Sequence, residues 1–183
     1  MCRTEEVDSY YKYGIRLVSR DTLRQQFRDL FSELPKETIE SANPKSGHHA
    51  SPQQVFVGVD CRFLLQYCAH YCIYGSEYLT SLAANITTPD GEDYRQRLKN
   101  IGRPTVIVLD IPFECLPPSD ATGVIDELAR VASGDLDNVV MPNMLIDYGI
   151  SFDHPLPCEW VVDHCHPEAV WDPLIKEDYK YSA

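Results

Sequence analysis

The chain of 183 residues carries 16 Lys and Arg against 28 Asp and Glu, a formal net charge of −12 with a sequence pI of about 4.8. Such a balance argues against nucleic acid as a partner, because phosphate neutralisation needs clustered cations and no basic run is present, and an anionic membrane surface would repel the chain as well. With 44% hydrophobic and 24% charged residues the composition is that of a folded globular protein, and the length suits one domain over 1–183 with a sizeable core.

In chain order, Tyr10 to Val18 is aromatic and β-branched with a glycine inside, which predicts a first strand bulged at Gly14. Ser19 offers a cap, and the apolar positions Leu23, Phe27, Leu30 and Phe31 then fall at helical spacing, so an amphipathic helix with a basic outer face follows. Lys36 to Pro52, with Pro44, Gly47 and His48-His49, reads as a long polar surface loop. Val55 to Asp60 reads as a second strand. Arg62 to Ala84 reads as one helix, apolar nearly all round and therefore buried and central. Asn85 to Pro104 is a polar excursion with a turn at Thr88-Pro89-Asp90-Gly91.

Thr105 to Ile111 is the clearest strand, stopped by Pro112. Ser119 and Asp120 can cap a helix over Ala121 to Ala132, whose positions 124, 125, 128 and 131 share a face, with Gly134 ending it. Asn138 to Pro142 and Leu145 to Gly149 are short strand or loop segments, and Cys158 to Asp163 is a last strand. Strands and helices mixed without regular alternation predict an α+β fold with a mixed, mostly antiparallel sheet around a buried central helix.

An acidic N-terminal stretch without an apolar run argues against a leader, and the longest mostly apolar stretch, Phe63 to Ile73, is too short to span a bilayer. Seven cysteines, at 2, 61, 68, 72, 115, 158 and 165, are an odd number that suits reduced, mostly buried thiols in the cytoplasm. The sequon Asn85-Ile86-Thr87 points the other way, towards a secreted effector or toxin. Cys68, His70 and Cys72 form one group with zinc-type ligands, and His164, Cys165 and His166 form another. Neither has the paired-cysteine spacing of a zinc site, so no metal is expected. A Cys68 or Cys165 nucleophile with a histidine base has its residue types present. A thiol in the middle of an apolar helix, however, lacks what lowers its pKa.

Three separated segments carry a family resemblance. Ile15-Arg16-Leu17-Val18-Ser19 resembles the first-strand arginine segment of mono-ADP-ribosyltransferases, the fold shared with cholera and diphtheria toxins. Glu159-Trp160-Val161-Val162, followed by Pro167-Glu168-Ala169-Val170, is similar to that family's closing pattern, in which a catalytic Glu opens a short strand. Val55 to Ala69 stands where the family has its NAD-clamping strand and helix, and Thr105 to Ile111 resembles the strand after it. The resemblance implies an ADP-ribosyltransferase-like fold and NAD as substrate, consumed by transfer to an acceptor or by hydrolysis. Val57-Gly58-Val59 replaces a Ser-Thr-Ser strand, and Pro157 stands where arginine-modifying members carry a second acid, which points away from an arginine acceptor.

In that chemistry nicotinamide leaves NAD through a cationic ribosyl transition state. Glu159 would stabilise the cation, Arg16 would grip diphosphate or ribose oxygens with its planar fork, and Tyr67 or Tyr71 would stack on nicotinamide. The competing expectation is a non-catalytic interaction domain whose acidic surface binds a basic protein.

Overall fold

The computed structural model describes residues 2–4, 6–42, 54–87, 91–133 and 145–181. It is an α+β arrangement in which short antiparallel ladders are packed among helices. In chain order the elements are β1 (Cys2–Thr4), α1 (Asp8–Tyr13), α2 (Arg20–Leu30), α3 (Lys36–Ala42), β2 (Val55–Gly58), α4 (Cys61–Tyr67), α5 (His70–Tyr74) and α6 (Glu77–Asn85). There follow α7 (Arg95–Leu98), β3 (Arg103–Leu109), α8 (Pro118–Ser133), β4 (Gly149–Phe152), β5 (Val161–Cys165), β6 (Ala169–Asp172) and β7 (Glu177–Lys180).

In place of one mixed sheet, the described residues form three separate ladders, β1-β3-β5, β2-β4 and β6-β7, and every pairing among them is antiparallel. Thr105 to Leu109 behaves as expected, because β3 is the middle strand, with Cys2 opposite Thr105 on one side and Cys165 opposite Val106 on the other. Two hydrophobic clusters result. The larger one joins Leu23, Phe27 and Phe31 of the α2 region to Ile73, Tyr74, Tyr78 and Leu82 of α5 and α6 and to Val170 of β6. The smaller one, around Val55, Val124, Ile150, Phe152 and Leu156, holds α8 against the β2-β4 ladder.

Several expectations are corrected. Tyr10 to Val18 is not a strand: Tyr10 to Tyr13 lie in α1, and only Ile15 makes an isolated bridge, to Leu156. Aromatic β propensity is a weak prior. Here the Tyr11 hydroxyl finds His164 Nδ1 at 2.8 Å and Tyr10 bonds Cys2 Sγ at 3.4 Å, contacts made by a helix lying on the sheet ends. Gly14, at φ +69°, ends α1.

The single central helix is broken into α4, α5 and α6. Cys68 leaves helical geometry, Gly75 takes φ +85°, and Ser76 caps α6 by accepting from the Leu79 N–H at 3.2 Å. A run apolar all round cannot signal where it stops, although Gly75-Ser76 is a stop followed by a cap. Lys36 to Ala42 is helical, with Ile39 and Ala42 buried, which corrects the first part of the loop expected over Lys36 to Pro52; its positions from 43 on lie outside the described residues, as do Thr88-Pro89-Asp90, Gly134 and Asn138 to Pro142.

The last expected strand is displaced, since Cys158–Trp160 is a 3-10 turn and pairing starts at Val161. α2 keeps its expected start, Ser19 accepting from the Thr22 N–H at 3.1 Å. No helix among the described residues is long and apolar enough to cross a membrane.

Candidate functional site

Arg16 and Glu159 lie on neighbouring segments. Ile15 and Leu156 exchange both backbone hydrogen bonds, each at 2.9 Å, which sets the residue before Arg16 beside the loop that leads into Glu159. The 3-10 turn bearing Glu159 is tied at its far end to β3, where the Asp110 N–H donates to the Trp160 carbonyl at 2.8 Å. Both side chains are exposed, and the Arg16 guanidinium carbon lies 4.2 Å from the centre of the Tyr13 ring.

The two tyrosines stand elsewhere. Tyr67 is exposed on α4, its ring 4.8 Å from Phe63 and its hydroxyl accepting from Gln66 Nε2 at 3.0 Å. Tyr71 is half-buried on α5 and donates to Glu77 at 3.4 Å; burial and then the Glu77 carboxylate push its pKa up to about 12. The helix break at Cys68-Ala69 therefore puts Tyr67 and Tyr71 on different helices. Among the described residues no hydrogen bond or ring contact links Arg16 or Glu159 to either tyrosine.

Among the described residues no group of three or more His, Cys, Asp or Glu could hold an ion. Cys68 is raised by burial and by Asp147, and Cys165 by burial, Cys61 and Asp163, the opposite of what a nucleophile needs. All seven cysteines are free, as expected. The expectation that most are buried is corrected, because only Cys72 is buried while Cys61, Cys115 and Cys165 are exposed. His166 donates from Nδ1 to the Pro104 carbonyl at 3.0 Å, and Thr105 Oγ1 lies 3.1 Å from the same nitrogen.

A polar constellation that sequence reasoning missed sits between α5, α7 and the β6-β7 hairpin. Asp172 is fully buried; its Oδ2 accepts from the Tyr74 hydroxyl at 2.6 Å and pairs with Lys99 Nζ at 2.9 Å, and its Oδ1 accepts from the Leu174 N–H at 3.0 Å. Burial works to raise the Asp172 pKa, but the hydrogen bonds from Tyr74 and Lys99 outweigh it and the net shift is downward. Burial and the adjacent Asp172 carboxylate raise the Tyr74 phenol strongly, so it stays a proton donor.

Lys99 also lies 5.2 Å from the Tyr74 ring and 5.4 Å from the Tyr179 ring, and the Tyr179 hydroxyl donates to the Lys99 carbonyl at 3.0 Å. Outside this network opens a groove of about 610 Å³ whose lining includes Lys99, Arg103, Lys180, Tyr179 and Tyr181 and, among the described residues, no carboxylate. Nothing in the sequence around Asp172, between Trp171 and Pro173, marks it, because an Asp is mostly exposed and is buried only where packing supplies its partners.

Comparison with protein-family models, with curated proteins and with solved structures found no match to this chain.

Proposed function

We propose that the chain is a non-catalytic interaction domain that docks a basic, apolar-faced helix on α8. One observation carries this reading. α8 buries only Val124, while Ile125, Leu128, Ala129 and Ala132, spaced as one helical stripe, face solvent among the described residues, Ile125 at 53% and Leu128 at 47% exposure. A stripe of that spacing is the form in which a helix meets another helix. The exposed carboxylate of Asp126, next to Ile125 in the helix, in a chain of net charge −12, favours a cationic partner in encounter and in register.

The test is fluorescence anisotropy with a labelled Leu/Lys amphipathic peptide and its Leu/Glu counterpart. The basic peptide should bind, more weakly as salt rises, and the acidic one should not. The double variant Ile125→Ser with Leu128→Ser should lower affinity about tenfold or more, since the two half-exposed side chains together bring roughly 2 kcal/mol of burial. Equal affinity for both peptides, or none for either, overturns the proposal.

A second reading is NAD-dependent ADP-ribosyl transfer or NAD hydrolysis on an ADP-ribosyltransferase-like fold. What favours it is the pairing of Ile15 with Leu156, which brings the Arg16 segment beside the Glu159 turn. In this reading Arg16 grips the diphosphate and Glu159 stabilises the ribosyl cation. Nicotinamide release by the purified chain tests it. Glu159→Gln should lower the rate by about 10²–10³ at little cost in NAD affinity, and Arg16→Ala should mainly raise KM. A wild-type chain without turnover or NAD binding removes this reading.

A further inference from the structure

We infer that the groove between the Lys99–Arg103 turn and β7 binds a small ligand of the nucleoside diphosphate class, a phosphate group carried on an aromatic base. The inference rests on neither functional reading above, since no residue of those readings lines the groove.

Charge comes first. In a chain with twelve more acidic than basic residues, this groove has Lys99, Arg103 and Lys180 in its lining and, among the described residues, no Asp or Glu. Lys99 is matched from behind by Asp172, so the excess positive charge at the mouth comes from Arg103 and Lys180, which have no ion pair among the described residues. Two cations without a carboxylate suit a phosphate or diphosphate, and the guanidinium can meet it with two parallel bonds. A long polyanion is disfavoured, because its phosphates beyond the groove would run over an acidic surface. A ligand no larger than the groove is governed mainly by the local cations.

Aromatic surface is the second element. Tyr181 carries the Arg103 guanidinium carbon 5.9 Å from its ring centre, and Tyr179 is held by its hydroxyl bond to the Lys99 carbonyl. Rings fixed beside cations form a stacking platform for a planar base, and the exposed Asn100 amide offers both a donor and an acceptor to its edge. The volume of about 610 Å³ lies within the range of roughly 300–1,000 Å³ usual for small-ligand sites. The floor is tight for a backbone reason: Gly102 has φ +62°, and a Cβ there would meet the Thr4 nitrogen at 3.0 Å, so glycine lets the turn press against β1.

The test is calorimetric titration of the full chain with ADP, pyrophosphate and adenosine at low salt. ADP should bind in the micromolar range, and adenosine and pyrophosphate at least about tenfold more weakly. Arg103→Gln and Lys180→Gln should each lower ADP affinity about tenfold, as expected for loss of one charge-assisted contact. Tyr181→Leu should weaken ADP but leave pyrophosphate unchanged. The Arg103 and Lys180 positions are exposed, and an unchanged melting curve confirms that each variant is folded. Absence of ADP binding, wild-type affinity in the Arg103→Gln with Lys180→Gln double variant, or pyrophosphate binding as tightly as ADP each overturns the inference.

Discussion

Gly14 lies so close to Leu156 that a Cβ placed on it would stand 2.0 Å from the Leu156 carbonyl oxygen and 2.8 Å from the Cys158 nitrogen. The approach lets Ile15 and Leu156 pair and fixes α1 against the turn that bears Glu159.

Glycine is therefore required at 14 on two grounds, φ of +69° and a backbone neighbour that no rotamer change can move aside. Gly14→Ala should destabilise the fold by about 4 kcal/mol or more, in the range of severe backbone and core disruptions. Gly75→Ala is the control. It also has positive φ, +85°, but nothing lies within 4 Å, so it should cost only the conformational term of about 1–2 kcal/mol. Urea unfolding of the two variants measures the difference, and equal losses would mean that the contact with Leu156 contributes nothing.

The Tyr74–Asp172–Lys99 network separates a charge from a hydrogen bond. Asp172→Asn leaves the Lys99 ammonium, only 11% exposed, without its counter-charge and should cost about 3–5 kcal/mol. Tyr74→Phe removes one hydrogen bond to a buried carboxylate that keeps its bonds from Lys99 and Leu174, and should cost about 1.5–3 kcal/mol. Denaturant midpoints order the two, and a larger loss for Tyr74→Phe would show that the phenol, not the ion pair, holds the site.

Among the described residues the carboxylates Asp93, Glu127 and Asp153 have lowered pKa values, as have the two buried ones, Asp60 and Asp172, on which acid stability chiefly rests. At Asp60 the Arg62 guanidinium acts first, overcoming burial, and the Ile146 N–H assists. At Asp172, burial is outweighed by Tyr74 and Lys99. Both groups hold protons less tightly folded than unfolded. Their stabilisation is thus complete above the unfolded carboxyl pKa of about 3.9 and is lost as pH falls through the lower folded values. Melting temperature should fall steeply below about pH 4, and Asp60→Asn should flatten part of that slope while lowering stability at neutral pH. An unchanged slope in Asp60→Asn would exclude Asp60 as a contributor.

Thiol labelling should divide the cysteines by exposure. Cys61, Cys115 and Cys165 are solvent-facing and should react first with a disulfide reagent in the folded protein. Cys72 is buried, its Sγ donates to the Thr105 carbonyl at 3.8 Å, and burial pushes its pKa up to about 11. It should react only on unfolding. Mass mapping of a time course checks the order, and early modification of Cys72 would contradict the packing of α5 on β3.

Local signals were legible where one element carries its own start, face and stop. Ser19 with Leu23 and Phe27 announces α2, the β-branched run from Thr105 announces β3, and Val124 within a period of 3.6 announces α8. The break at Cys68, inside uniformly apolar sequence, was not, because hydrophobicity all round a helix has no phase to lose, whereas Gly75-Ser76 does carry a stop and a cap. The β6-β7 hairpin escaped notice as well. Its turn at Lys176, φ +59°, lacks the glycine that marks such turns, and its strands alternate only partly. The Asp172 network was illegible for a different reason: Tyr74, Lys99 and Asp172 come from three elements, and only packing brings them together.

The separation of 98 positions between Tyr74 and its acceptor Asp172 also sets an order of events during synthesis. At about 5–20 residues per second, roughly 5–20 s pass after Tyr74 is polymerised before its partner exists. Through that interval Phe27, Ile73 and Leu82 can collapse, but Val170 is missing from their cluster and the Lys99 ammonium must stay in water. Throughout that interval the helical half of the molecule lacks the hairpin whose Val170 and Asp172 complete its core.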